Sequence, residues 1–276
     1  MPRLCSARAC GEVVMKPMLC SEATLDEAKA LEAGSDIVIE QKLDGVRALI
    51  IDGRLYDRRG KDMTEKFPEF EGLEKLGGPF DGEVLAVTGR FEDTAGRVHQ
   101  KDKFGIRIAA KMNPSVFHCF DVMTQPGLPL RDRKLFLQGF QFPQEIKVWF
   151  AVVEPIVSIE EGWRLVEQHG WEGLVVKDAG GSYEEGKRST AWRKVKHWSE
   201  AVATFTKLEE HPKGVRLETE DGKSVNVNGQ QAEYVKFLFK RDGKVEGEVQ
   251  FLPQKDSEAW RFPSWRGVAG GENGEE

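Results

Sequence analysis

The stretch "IEQKLDGVRALI", residues 39–50, sets a lysine, an aspartate and an arginine inside what otherwise reads as apolar strand. A lysine with an ordinary pKa of about 10.4 is neutral at pH 7 in only about one molecule in 2,500. Lys42 therefore becomes a nucleophile only if burial or neighbouring cations lower its pKa. Just downstream, Asp52-Gly53 in "VRALIIDGRLYDRRG" is the dipeptide that best supplies the positive φ angles of a two-residue hairpin turn. Lys42 is thus expected where one strand gives way to a loop at the entrance to a hairpin.

Ahead of this stretch, "ATLDEAKALEAG" carries the capping-box pair Thr24 and Glu27 and a stop at Gly34, so a short amphipathic helix leads in. Beyond it, "PFDGEVLAV", "SVFHCFDVM", "KVWFAVVEPIV" and "EGLVVKD" read as strands. Between the last two, "SIEEGWRLVEQHG" repeats the capping-box pattern at Ser158 and Glu161 and stops at Gly170. After about His197 the pattern changes to short strands, "AVATFTKLEE", "GVRLETEDGKSVNV" and "KVEGEVQFL", with turn signals at Asp221-Gly222 and Asp242-Gly243. One helical segment, "QQAEYVKFLFKR", interrupts them. About five strands and one helix in this space suggest a small barrel of the OB type.

The chain has 276 residues, 39% apolar and 31% charged, an ordinary globular composition with room for two domains. Its formal net charge of -6 argues against coating nucleic acid through bulk charge and leaves room for local basic patches. No apolar run approaches the roughly 18 residues of a membrane span, and the N-terminus lacks a secretory pattern, so a cytoplasmic, monomeric protein is expected. Cys5, Cys10, Cys20 and Cys119 show no metal-ligand spacing and read as free thiols.

A second charged cluster, "KRSTAWRKVK" at 187–196, holds five basic residues and no acid. Strand alternation would put Trp192, Lys194 and Lys196 on one face and Arg193 and Val195 on the other. Taken in order, "EQKLDGVR", "DRRGKDMTEKFPEF", "FDGEV", "FHCFDVM", "WEGLVVK", "WRKVK" and "RFPSWRG" resemble the ATP-dependent DNA ligases of the covalent nucleotidyltransferase superfamily. The likeness runs from about Lys16 to Gly267 and is closest in shape to the minimal phage and bacterial type.

That resemblance implies an α+β fold. An ATP-grasp-like nucleotidyltransferase domain of antiparallel sheets and helices (1–198) would precede a small OB-fold β-barrel (199–268) and a disordered tail (269–276). It implies that Lys42 attacks the α-phosphate of ATP and carries AMP as a phosphoramidate, with Mg²⁺ as cofactor and Mn²⁺ as a substitute. Nicked double-stranded DNA is the implied partner. Glu40, Arg47, Glu83, Phe120, Lys177, Lys194 and Lys196 are the implied nucleotide contacts: Glu40 near adenine, Arg47 at ribose or nick phosphate, Phe120 stacked on the base, and the lysines around the α-phosphate. Glu83 and Glu172 would serve the ribose hydroxyls and a divalent metal. Arg58 or Arg59, with Arg188, would touch the nick phosphate, and Arg261 or Arg266 in the C-terminal motif would orient pyrophosphate. Asp81 and Asp121 read as structural acids.

The segment "RVHQKDKFGIR", Arg97 to Arg107, carries four basic residues and one acid and is expected to contact the duplex. About 40 residues precede Lys42, too few for a separate DNA-binding domain. An RNA ligase or another covalent nucleotidyltransferase using the same lysine, and a non-catalytic OB-type binder, are the rival readings.

Overall fold

The computed structural model describes residues 15–123, 127–254 and 257–270. Cys5, Cys10 and residues 271–276 of the expected tail lie outside them. The chain divides into two compact units, one within Met1–Val166 and Gly173–Val195, the other within Glu167–Glu172 and Lys196–Glu276.

The first unit holds two sheets. Strands β1 (Leu19–Glu22), β2 (Ile37–Gln41), β3 (Val46–Ile51), β4 (Arg54–Asp57), β5 (Phe80–Ala86), β6 (Ser115–Val122), β7 (Phe150–Val152), β8 (Gly173–Asp178) and β9 (Arg188–Lys196) are ordered β1-β9-β8-β2 in one and β4-β3-β5-β6-β7 in the other. Pairing is mostly antiparallel, with parallel pairs β1–β9 and β6–β7 at one edge of each sheet. Asp52 and Gly53 take φ +47° and +73° and turn β3 into β4, as the dipeptide predicts. Both capping residues also act as read: the Thr24 hydroxyl and Glu27 cap each other's backbone, and the Glu161 amide donates to the Ser158 hydroxyl at 3.1 Å. "KVWFAVVEPIV" is strand only over β7; Gln144–Lys147, just before it, is helical.

The five-stranded sheet carries the main core, with Ile50, Leu55, Phe67, Phe70, Phe80, Phe117, Trp149 and Phe150 all buried. Each such side chain contributes roughly 1.5–3 kcal/mol by leaving water. A smaller cluster of Met18, Phe120 and Trp192 joins β6 to β9. Because β2 and β3 belong to different sheets, the link 42–45 passes directly from one sheet to the other. Gly45 lies on that link, and a Cβ there would come within 2.3 Å of the Val84 carbonyl oxygen, so only glycine lets the link pass β5.

The second unit is one sheet, β12-β11-β10-β13-β14, made of β10 (Ser199–His211), β11 (Gly214–Thr219), β12 (Ser224–Asn228), β13 (Val245–Gln254) and β14 (Ser257–Val268). Its outer strands β12 and β14 come within contact distance, so the sheet curls into a nearly closed barrel. Helix Gln230–Asp242 packs Ala232, Val235 and Leu238 into that barrel's own core with Phe205, Leu217 and Val249. Gly243 ends the helix at φ +71°.

Candidate active site

Lys42 follows the last residue of β2, and its amide donates to the Gly173 carbonyl at 2.9 Å, extending the pairing with β8 by one step. Burial stops short of it: Glu40 is 2% exposed, whereas Lys42 is half-buried. Apolar strand therefore does not enclose this lysine. Among the described residues the buried lysines are Lys134 and Lys177, and both are ion-paired to Glu40. Lys177 Nζ lies 2.6 Å from one Glu40 carboxylate oxygen, and Lys134 takes the other. Burial works against an ionised Glu40, yet Lys177 and Lys134 together hold its carboxyl below the usual range.

Arg47, on β3, is fixed from two sides. Its Nε and one terminal nitrogen each reach Asp81 at 2.7 Å, a bidentate pair, and the same nitrogen reaches the Met18 carbonyl at 3.2 Å. Burial opposes the guanidinium's charge, but Asp81 outweighs it and Arg47 stays charged. The Tyr183 hydroxyl donates to Asp81 at 2.5 Å, and burial together with Asp81 holds that phenol neutral. Asp81 and Asp121 thus act as the structural acids expected of them, Asp121 pairing bidentately with Arg133 at 2.7 and 2.9 Å.

Phe120 is 9% exposed and meets Trp192 edge-on, with centroids 6.0 Å apart. Two cations lie against its ring: Lys177 Nζ at 4.4 Å and the Arg47 guanidinium carbon at 4.5 Å from the centroid. Lys177 is also 4.2 Å from the Trp192 ring centroid. Cys20 lies on β1. Burial pushes its thiol up, against the pull of Arg47, Lys177, Lys42 and Lys194. Those four cations come from four places in the first unit: the 42–45 link, β3, β8 and β9. Glu83 stands opposite Arg47 in the β3–β5 register.

In "WRKVK", Trp192 and Val195 are both buried, and β9 is an inner strand of its sheet. Ahead of Arg193 the strand bulges against β1: Cys20 pairs with Ser189, but the next residue, Ser21, pairs with Arg193. Lys194 ion-pairs with Glu22 at 2.8 Å. Arg188 donates to the Cys20 carbonyl. Arg58 and Arg59 are exposed on a turn that the Asp57 carboxylate organises by accepting from the amides of Arg59 and Lys61 at 2.8 and 2.9 Å. Arg97 does not face a duplex: it is 4% exposed, ion-pairs with Glu69 and donates to the carbonyls of Ala109 and Asn113.

The family model described as "ATP dependent DNA ligase domain" matches residues 17–196, the span that holds β1 to β9 with Lys42, Arg47, Lys177 and Lys194. The chain belongs to the ATP-dependent DNA ligase family. A probable DNA ligase of Streptomyces coelicolor is 33% identical over 201 residues, 65% of this chain and 38% of that protein. DNA ligase 2 of Korarchaeum cryptofilum is 30% identical over 208 residues, 67% of this chain and 34% of that protein. The chain thus spans little more than a third of the length of the curated relatives it matches.

Among solved structures, a DNA ligase of the Lig E type superposes with TM-score 0.67 at 21% identity, covering 93% of this chain and 100% of that one. A mycobacterial DNA ligase D complexed with ATP and MES gives 0.56 at 20% identity, covering 92% and 94%. At such identities the likeness establishes the fold, a nucleotidyltransferase domain followed by an OB barrel.

In this ligase-family chain the remaining expected residues fall in the second unit. Glu172 accepts the His197 amide at its carbonyl, at 2.9 Å, and Lys196 Nζ lies 4.8 Å from the Trp198 ring centroid. Arg261 rests 5.3 Å from the ring of Phe262, and the exposed Arg266 donates to Gln250. Among the described residues no group of three or more His, Cys, Asp or Glu is placed to hold a metal unaided.

Lys134 escaped the sequence reading because no motif contains it. Its signal was present in "LPLRDRKLFLQG": Leu130, Arg133, Lys134 and Leu137 share the buried face of helix Leu130–Gly139 at i, i+3, i+4, i+7 spacing. Two cations on an inward helical face require buried acids opposite, here Asp121 and Glu40.

Proposed function

We propose that this chain seals nicks in duplex DNA at the expense of ATP, through a lysyl-AMP and a DNA-adenylate. The observation that carries the reading is the pair of cations, Arg47 and Lys177, set against the Phe120 ring, with Lys42 at the end of β2, in a chain of this family.

In the first step Lys42 Nζ attacks the α-phosphorus of ATP. A P–N bond forms, the bond to the bridging oxygen breaks, and pyrophosphate leaves with that electron pair. The AMP then passes to the 5′-phosphate at the nick, and attack by the 3′-hydroxyl joins the strand and frees AMP. Throughout, charge gathers on phosphate oxygens, and fixed cations stabilise it. Lys177 and Lys194 supply that charge, together with Lys196. Adenine stacks on Phe120, which requires Arg47 or Lys177 to give way, since both lie against the ring. Glu40 lines the base, and Glu83 and Glu172 serve the ribose hydroxyls and a divalent cation, Mg²⁺ or Mn²⁺, which would screen the triphosphate when bound. Arg58 or Arg59, with Arg188, meets the nick phosphate, and Arg261 or Arg266 orients pyrophosphate.

The test offers labelled ATP and Mg²⁺ and follows transfer of label to the protein. Lys42→Ala should lose the adduct completely, and a chase with nicked DNA should discharge the wild-type adduct into a sealed strand. An adduct that survives Lys42→Ala overturns the mechanism. Discharge by nicked RNA alone, or labelling by GTP alone, assigns the chain to another covalent nucleotidyltransferase class.

A further inference from the structure

Among the described residues, helix Lys103–Met112 has one face unpartnered. Ile106 and Ala110 are buried, while Phe104 (71% exposed), Ile108 (46%) and Met112 (78%) stand in solvent at i, i+4, i+8 spacing. Such residues form one stripe about 12 Å long on the outer surface. Lys103, Arg107 and Lys111, each one position earlier, are likewise exposed and form a parallel stripe along its edge. A soluble surface rarely concentrates three large apolar side chains beside three cations without a partner.

The helix is firmly seated. Asp102 caps it by accepting from the amides of Phe104 and Gly105, and buried Arg97 ties its C-terminal carbonyls to Glu69. It is also linked to the segment that follows the Arg58–Arg59 turn, through Lys66 to the Gln100 carbonyl and Lys103 to Glu65 at 3.3 Å. Glu65 and Asp102 are the acids at its N-terminal end. The chain as a whole carries a formal charge of -6, so this cationic edge stands against the general sign.

We propose that helix Lys103–Met112 grips the duplex beside the nick, with Lys103, Arg107 and Lys111 on backbone phosphates and Phe104, Ile108 and Met112 against the minor groove. This rests on the ligase reading and narrows it to a surface. Charge complementarity selects the occupant: phosphates match the basic edge, and apolar side chains set into a minor groove widen and bend it. An acidic or apolar protein surface would match only one of the two stripes.

Two variants separate the stripes. Lys103→Gln/Arg107→Gln/Lys111→Gln should weaken binding to a nicked duplex at least about tenfold near 0.1 M salt. It should also flatten the plot of log affinity against log salt by about 2 to 3, since each phosphate contact contributes roughly 0.9. Phe104→Ser/Met112→Ser should weaken binding while leaving the slope intact. Adduct formation from ATP needs no DNA and reports the ligase reading and the fold separately. Normal adduct with unchanged affinity and slope in both variants overturns the helix assignment alone. A wild-type dimer in sedimentation that the Phe104→Ser/Met112→Ser variant dissociates also overturns it, by giving the stripe to a second copy of the chain.

Discussion

The charge that strand burial encloses most completely in the opening stretch is Glu40, two residues before the nucleophile, held between Lys134 and Lys177. Removing its charge leaves two buried cations without a counter-ion, and breaking a buried pair from one side costs about 3–5 kcal/mol. Glu40→Gln should therefore lower the stability of the first unit by about that much at pH 7, measured by urea denaturation. The pH dependence has a definite sign. Glu40 titrates below its unfolded value, so its contribution is complete above about pH 4.3 and disappears as pH falls through the lower, folded value. The wild type should lose stability in that acid window and Glu40→Gln should lose correspondingly less; parallel acid limbs for the two proteins would show that the pair contributes nothing. The place of Lys42, at the end of a strand before a hairpin, was legible because the turn signal lies within a dozen residues of it. Lys134 was not, because its partner lies 94 positions away, and only the helical spacing of Arg133 and Lys134 with Leu130 and Leu137 betrayed it.

Elements whose signals are local were read well: the Thr24–Glu27 capping box, the Ser158 cap, the Asp52-Gly53 turn and the helix before β13 all follow from neighbours within four residues. What the local pattern does not carry is pairing: the register shift of β9 against β1 is set by a partner about 170 residues upstream. Arg97 was placed on a DNA surface because its segment is basic, yet the fold turns it inward to close helix Lys103–Met112. The link 42–45 is where local and distant constraints meet. An alanine at Gly45 would place its Cβ 2.3 Å from the Val84 oxygen and 2.9 Å from Glu83 Cγ, and β5 is central to its sheet and cannot retreat. The link must move instead, carrying Lys42 and Arg47. A displacement near 1 Å costs catalysis about a hundredfold, so Gly45→Ala should slow single-turnover adduct formation by roughly that factor while the protein remains folded by circular dichroism. An unaltered rate would mean that the link tolerates the displacement.

At the scale of the molecule, the two units each have a core of their own, one centred on the five-stranded sheet and the other inside the barrel. The OB character of the C-terminal part was legible from strand number and turn spacing, but the internal use of "RFPSWRG" was not. Its tryptophan, Trp265, lies flat over Gly247 on the paired strand, and a Cβ at Gly247 would come within 2.0 Å of the indole ring. The motif that supplies Arg261 and Arg266 therefore also fastens β14 to β13, and the glycine in "KVEGEVQ" is there to admit the ring. Separate cores predict separate unfolding transitions. Gly247→Ala overpacks the second core at a cost of about 1–3 kcal/mol. In a unit of this size each kcal/mol moves the midpoint by about 4–8 °C. Scanning calorimetry should then show one transition falling by several degrees and the other, belonging to the first unit, unmoved. Equal shifts in both, or a single transition that moves as a whole, would mean that the two cores melt as one, and the division into two separately stable units would have to be abandoned.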